Sequence, residues 1–488
     1  MLELIVAAFK TGSATVANLL VTAITVKIIA MFTGPVGVGA WSLLRQCQQS
    51  AVTIGTCSGA VSFIRGISQL SGKERSQFMR TVAVTYLLLG GCVTLGMILL
   101  SARLALWIGT LNAHIFALLA VPVAISIFRD YLIALLNGMR AIGRLALAQI
   151  LGAVVAALTA YPVASLVSQG DFSGFILLML AVGLVSSIAA IYFIWRADWG
   201  LDLAVRPYWT MDSFRRFARL AGTMAVIGVV ASLTLFAARV LIARYRGINE
   251  AGYFDVAWSL GLTYVGLILN AFGTYYLPKL SSMADKEQVE LIQHVGKLTI
   301  MAMTPLIVLM TIIKPWIISM FYSTEFMPAL GIFQLLLVAD YLKMSTWVFS
   351  IVVVVRGLEK PFLIGNVLWD LSLLFGVWLT LYIDLPSNVI GLVIVVLNCC
   401  GLFGYNRLIS KTLPIHFSPR LWFAWGAGLL CVLGATALAW NGTKVDFSLY
   451  WILIVSCLIS GICLNEADFA AMRLFFSRKW KDKRKQVS

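Results

Sequence analysis

Charged residues are scarce in this chain of 488 residues. Asp, Glu, Lys and Arg make up 12% of it and hydrophobic residues make up 60%, whereas soluble domains are about 25% charged and about 45–50% apolar. A chain this apolar cannot cover itself with a water-soluble surface. The composition therefore predicts an all-α polytopic membrane protein.

The residue patterns of metal, redox and nucleotide chemistry are also missing from the sequence. The three histidines are scattered, and the eight cysteines lie in or beside apolar segments without paired spacing. No Gly-x-x-x-x-Gly-Lys-Ser/Thr phosphate loop is present. The longest inner loop, from Arg196 to Arg216, is too short for a soluble catalytic domain. We predict no catalytic residue, no metal and no cofactor, and we expect the protein not to be an enzyme.

Fourteen apolar segments are long enough to cross a bilayer as helices, since a span needs about 20 residues. They cover approximately residues 11–32, 40–64, 81–102, 113–137, 145–167, 174–195, 217–243, 251–276, 292–313, 328–355, 361–383, 388–409, 421–440 and 447–464. The first segment follows the N-terminus almost directly and is of full spanning length, so we expect no cleavable signal peptide.

The net charge of +16 is distributed as membrane topology requires rather than as a nucleic-acid surface. With the N-terminus inside, 27 of the 37 Lys and Arg residues lie at inner span ends or in the C-terminal tail. The outer ends carry only Arg103, Arg244, Arg246, Lys314 and Lys444. The positive-inside rule then predicts that both termini are cytoplasmic, with residues 465–488 as a basic tail, and no nucleic-acid partner is expected.

A weak internal repeat predicts two lobes of six helices each. Ala40-Trp41-Ser42-Leu43 recurs as Ala257-Trp258-Ser259-Leu260. Gly138 and Gly357, each after an apolar span, are separated by nearly the same number of residues as the two tetrapeptides. Because six helices are an even number, the lobes share one orientation and form a parallel repeat. We predict an N-terminal lobe (1–200), a C-terminal lobe (217–410) and two extra helices (421–464).

Nine charged side chains inside the predicted spans are the candidate site. A cation at mid-membrane costs about 2.5–3.5 kcal/mol on insertion scales, so such residues usually serve a function. The candidate ligands of an anionic substrate are Lys27, Arg45, Arg129, Arg239 and Lys343. The candidates for ion coupling or for charge pairing are Asp130, Asp255, Asp340 and Asp370.

Sequence position leaves alternatives open for these residues. Lys27, Arg45 and Arg239 lie near predicted outer span ends, where a long side chain can instead reach the headgroups. Asp255 could serve only to pair with Arg239. Asp340 and Lys343 are three residues apart on one helix and can pair, whereas the adjacent Arg129 and Asp130 point about 100° apart and are not expected to share a face.

Three motifs stand out in the sequence: Phe32-Thr33-Gly34-Pro35-Val36-Gly37-Val38-Gly39 followed by Leu44-Arg45-Gln46, then Tyr276-Leu277-Pro278-Lys279-Leu280-Ser281, and Asp340-Tyr341-Leu342-Lys343. They resemble motifs of Wzx-type flippases, the O-antigen and lipid III flippases of the multidrug/oligosaccharidyl-lipid/polysaccharide exporter superfamily. The resemblance covers about residues 5–410. It implies two six-helix lobes around a cationic cavity and carries over Arg45, Asp340 and Lys343 as functional positions. Arg129-Asp130 and the last two helices depart from the lipid III pattern.

The resemblance implies a flippase in the bacterial inner membrane. Its substrate would be an undecaprenyl-pyrophosphate-linked oligosaccharide, moved from the cytoplasmic to the periplasmic leaflet by alternating access. Coupling to protons or sodium, and partnership with a polysaccharide polymerase and a chain-length regulator, are further expectations. The alternatives are a cation-coupled multidrug exporter, disfavoured because the first span offers Lys27 and no carboxylate, and a membrane polymerase or ligase, disfavoured by the short outer loops.

Overall fold

The computed structural model describes residues 2–109, 111–197, 209–283, 285–413, 419–440 and 447–462. Within these ranges the secondary structure consists of helices joined by turns, without strands. The helices are α1 (Leu2–Gly55), α2 (Ala60–Gln69), α3 (Gly72–Ile108), α4 (Ala113–Gly138), α5 (Ile142–Ser168), α6 (Gly174–Trp195), α7 (Met211–Arg246), α8 (Ile248–Ser281), α9 (Asp285–Phe321), α10 (Leu330–Val355), α11 (Glu359–Tyr382), α12 (Val389–Ser410), α13 (Pro419–Leu438) and α14 (Phe447–Ile462). A 3₁₀ turn, Thr324–Ala329, precedes α10.

Eleven described helices are long and apolar enough to cross a membrane. This confirms the predicted all-α polytopic class. Each of the fourteen predicted spans overlaps a helix. Helix α1 holds the first span and residues 40–55 of the second, whose predicted end at residue 64 lies in α2, and α8 and α14 hold the eighth and the last. The predicted basic tail, residues 465–488, lies outside the described residues.

Helix α1 contains the first predicted span and most of the second because the break between them is a single residue. Gly34 has φ 59° and ψ −164°, outside the helical region, and Pro35 starts the second segment. Glycine adopts a positive φ without strain, and proline suits the first turn of a helix. The chain therefore kinks at this position, and the second segment continues to Gly55.

The helices cluster into two compact units. Unit 1 comprises Met1–Val256, Ile318–Ala329 and Leu363–Ser387, and unit 2 comprises Ala257–Ile317, Leu330–Phe362 and Asn388–Ser488. In unit 1, α1 packs against α5 and α7, and α3 packs against α4. In unit 2, α10 packs against α12 and α13, and α13 packs against α14. The two lobes inferred from the sequence repeat are bounded differently from these units, and they remain a prediction.

Candidate functional site

The most deeply buried cation among the sequence-predicted residues is Arg239 on α7, whose side chain is 2% exposed. Its Nε and Nη2 atoms both donate to Oδ1 of Asp255 on α8, at 3.3 and 2.8 Å. Its guanidinium carbon lies 5.6 Å from the ring centre of Phe254, within cation–π range. Asp255 is itself only 5% exposed. The pair thus meets the condition for buried charge, that each ion has a hydrogen-bonded partner.

Arg45 on the second segment of α1 completes a three-residue cluster with a net charge of +1. Its Nη2 lies 3.7 Å from the same Asp255 Oδ1, and its side chain is 44% exposed. Since Arg239 already holds that oxygen at hydrogen-bond distance, Asp255 cannot fully neutralise both cations. The excess positive charge therefore lies on the exposed guanidinium of Arg45, which keeps donors for an incoming anion.

Lys27 on the first segment of α1 is held by backbone carbonyls. Its Nζ donates to the carbonyl oxygen of Ser319 at 2.7 Å and also to that of Tyr322. Both carbonyls lie at the C-terminal end of α9, where the last four carbonyls of a helix have no partner within the helix and where the helix dipole favours a cation. The sequence left Lys27 either an anionic substrate or the lipid headgroups as its partner. The structure instead gives it a partner within the protein.

Arg129 and Asp130 on α4 form an ion pair with each other. Arg129 Nη2 lies 2.7 Å from Asp130 Oδ1, and Nε donates to the same oxygen at 3.0 Å. Adjacent residues of a helix do not share a face, as the sequence indicated. The long arginine side chain nevertheless reaches the neighbouring carboxylate. Both side chains remain partly exposed.

In unit 2, the predicted Asp340 and Lys343 lie on α10, and Asp340 is 7% exposed. Tyr264 Oη on α8 donates to Asp340 Oδ2 at 2.9 Å. A Cβ atom at Gly261, one turn before Tyr264, would lie 3.2 Å from the same oxygen, so the glycine leaves room for the carboxylate. Lys343 is partly exposed and has no hydrogen-bond or ion-pair partner among the described residues. Lys343 makes no hydrogen bond and no ion pair at contact distance with Asp340, although its positive charge lies close enough to act on that carboxylate. Asp370 lies buried on α11, in unit 1.

Sequence reasoning missed Lys314, which it assigned to an outer loop end. Helix α9 continues through it to Phe321, and Lys314 is only 2% exposed. Its Nζ donates to Gln334 Oε1 on α10 and, at 3.0 Å, to the carbonyl oxygen of Ala439 just after α13. The predicted span ended at residue 313, but α9 continues through Pro315, as membrane helices tolerate proline. The apolar sequence that continues beyond Pro315 was the available signal.

Among the described residues, no group of three or more His, Cys, Asp or Glu side chains could hold a metal ion. The arrangement in unit 1 instead offers an exposed guanidinium beside a carboxylate that another arginine already occupies. It is suited to binding an anion.

Comparison with known proteins assigns the chain to a family. The polysaccharide biosynthesis protein family matches residues 50–330, which is more than half of the chain. The chain belongs to this family. The matched region contains Arg129, Arg239 and Asp255, while Arg45 and Lys343 lie on either side of it.

Relatives of this polysaccharide biosynthesis protein include flippases. The lipid III flippases of Escherichia coli (strain K12) and Shigella flexneri are each 24% identical over 380 residues, covering 72% of this chain and 86% of the relative. The lipid II flippase MurJ in an inward closed conformation aligns with a TM-score of 0.70 at 14% identity, over 96% of this chain and all of that one. An inward-facing multidrug resistance MATE transporter of the MOP superfamily aligns with a TM-score of 0.66 at 15% identity, over 83% of this chain and 98% of that one. The chain therefore has the fold of this superfamily, and the predicted resemblance is confirmed.

Proposed function

We propose that this membrane protein is a flippase for a lipid-linked oligosaccharide. Its substrate would be an undecaprenyl-pyrophosphate-linked repeat unit, moved by alternating access from the cytoplasmic to the periplasmic leaflet of the bacterial inner membrane. The family and the lipid III flippase relatives support this assignment. So do the eleven apolar helices, which provide a transmembrane body.

The observation that carries the proposal is the exposed Arg45 guanidinium next to an already neutralised carboxylate. A pyrophosphate presents several anionic oxygens, and the planar donor fork of arginine matches them in pairs. Arg239 holds Asp255, which limits the competition of that carboxylate for Arg45. An organic cation would instead meet a surplus of positive charge, and this disfavours a drug exporter.

Lys343 is the second proposed anion ligand, because its ammonium has no hydrogen-bond or ion-pair partner among the described residues. Nearby on α10, Asp340 is the proposed coupling group, with Tyr264 Oη as its hydrogen-bond donor. If Asp340 carries the coupling proton or sodium ion, Asp340→Asn should transport at a rate that no longer responds to the ion gradient. Unchanged gradient dependence would instead point to Asp370, the other buried candidate.

A complementation experiment tests the proposal. Deletion of the gene should make lipid-linked repeat units accumulate on the cytoplasmic face of the inner membrane, and the wild-type chain should clear them. Arg45→Gln should fail to clear them at equal protein abundance. Arg65→Gln, which removes an exposed cation on α2, is the matched control and should behave as wild type. Unchanged clearance by Arg45→Gln would refute the assignment of this site.

The remaining expectations also stay proposals. Both termini would be cytoplasmic, the protein would act as a transporter without catalysing a reaction, and a polymerase and a chain-length regulator would act on the delivered repeat units.

A further inference from the structure

The second segment of α1 carries a run of polar residues, Arg45 to Ser50, inside a predicted membrane span. Three of them form hydrogen bonds with neighbouring helices. Gln46 Nε2 and Ser50 Oγ donate to the carbonyl oxygen of Ser232 on α7, at 3.2 and 2.9 Å. Gln48 Nε2 donates to Ser126 Oγ on α4 at 2.9 Å and to the carbonyl oxygen of Pro122 at 3.3 Å.

These contacts fix how the segment is oriented. Successive residues of a helix are rotated by about 100°. Taking Arg45 as zero, the residues bonded to α7 lie at about +100° and +140°, and Gln48, bonded to α4, lies at about −60°. The opposite side of the helix carries Leu43, Leu44, Cys47 and Ala51, which are all buried.

The remaining face of the segment carries Arg45 and Gln49. They lie about 40° apart and one turn, or about 6 Å, from each other, and both are exposed. The Gln49 side chain has no hydrogen-bond partner among the described residues. An unpaired amide and a guanidinium facing hydrocarbon would each be costly. The polarity of both side chains therefore favours a hydrated space beside this face.

We propose that Arg45 and Gln49 form one recognition stripe. In it, Arg45 holds the diphosphate of the lipid-linked substrate, and the Gln49 amide contacts the sugar attached directly to that diphosphate. The inference rests on the proposed function and deepens it by naming the residue that reads the sugar. A side-chain amide offers two donors and one acceptor and carries no charge. It therefore suits the hydroxyl groups of a neutral sugar, while the neighbouring cation binds the phosphates.

Equilibrium binding to two probes tests the stripe in the purified full-length protein. The probes are undecaprenyl diphosphate alone and undecaprenyl diphosphate carrying a single N-acetylhexosamine. For the wild type, the sugar should increase affinity. Gln49→Leu should weaken binding of the sugar-bearing probe by about 2- to 12-fold, the equivalent of one net hydrogen bond, and leave the plain diphosphate unchanged. Gln49→Asn, which keeps the amide, should recover part of the loss.

Two controls separate the failure of this inference from that of the proposed function. Arg45→Gln should weaken both probes alike, and Gln169→Leu, at an exposed glutamine just after α5, should change neither. If Arg45→Gln weakens both probes while Gln49→Leu affects them equally or not at all, the stripe is refuted and the diphosphate site stands. If Arg45→Gln changes neither probe, the proposed anion site itself fails, and the stripe fails with it.

Discussion

Replacing Asp255 by Asn should destabilise the protein strongly, although the two side chains have nearly the same shape. The change leaves the Arg239 guanidinium, 2% exposed, without its counter-ion. Removing one partner of a buried ion pair typically costs about 3–5 kcal/mol. Arg239 keeps a 3.3 Å hydrogen bond to the carbonyl oxygen of Leu235 and its contact with the Phe254 ring. We therefore expect a loss near the lower end of that range, about 3 kcal/mol.

The matched variant is Arg45→Gln, which removes the other cation near Asp255. That cation is 44% exposed and 3.7 Å from the carboxylate, so its contribution to stability should be at most about 1 kcal/mol. Denaturant titration of the two purified variants in detergent would measure the difference between their free energies of unfolding. Replacing both Arg239 and Asp255 by Leu should recover much of the loss, because no uncompensated charge remains. Equal stability of Asp255→Asn and Arg45→Gln would refute the reasoning.

Three further changes test other parts of the structure. Lys27→Met removes the donor to two carbonyls at the end of α9 and should lower stability by about 1–3 kcal/mol in the same titration, whereas an unchanged midpoint would mean that water replaces the lysine. Lys314→Met and Gln334→Leu should each destabilise the protein, since each single change leaves a buried partner without its hydrogen bond. The double variant should lose less stability than the sum of the two single losses, and additive losses in a double-mutant cycle would contradict the contact. Gly252→Ala should reduce the yield of folded protein, because its Cβ would lie 2.4 Å from the carbonyl oxygen of Pro35, while Gly222→Ala, with no atom within 4 Å of the new Cβ, should express normally.

Composition and hydropathy were enough to predict the fold class. Apolar segments of spanning length are a direct requirement of the bilayer, and each predicted span overlaps a helix, although the second runs past the end of α1 at Gly55. The Gly34-Pro35 break was also readable, because only a few residue types suit that backbone. The end of the second span was not readable. The chain turns at Cys57 and Ser58, which have φ values of 50° and 48°, and apolar residues continue on both sides of them.

The sequence was a better guide to which charges are buried than to the partners of those charges. The Arg239–Asp255 pair joins the end of α7 to the start of α8, so a local reading could anticipate it. The partners of Lys27 lie almost 300 residues away and are backbone carbonyls, which any residue type supplies. No side-chain pattern can therefore identify them. Only the tertiary arrangement distinguishes a lysine that caps a helix from one that binds a ligand.

This distinction changes what a cation inside a membrane span implies. Lys27 and Lys314 are both bound to carbonyls at helix C-terminal ends, so two intramembrane lysines satisfy helix termini and need no anionic substrate to explain them. Arg239 is satisfied by Asp255 in the same way. An anionic ligand is then indicated only by cations whose donors are not taken up by the protein. Among the described residues of unit 1, Arg45 meets this condition. The carboxylate beside it, that of Asp255, is already bonded to Arg239.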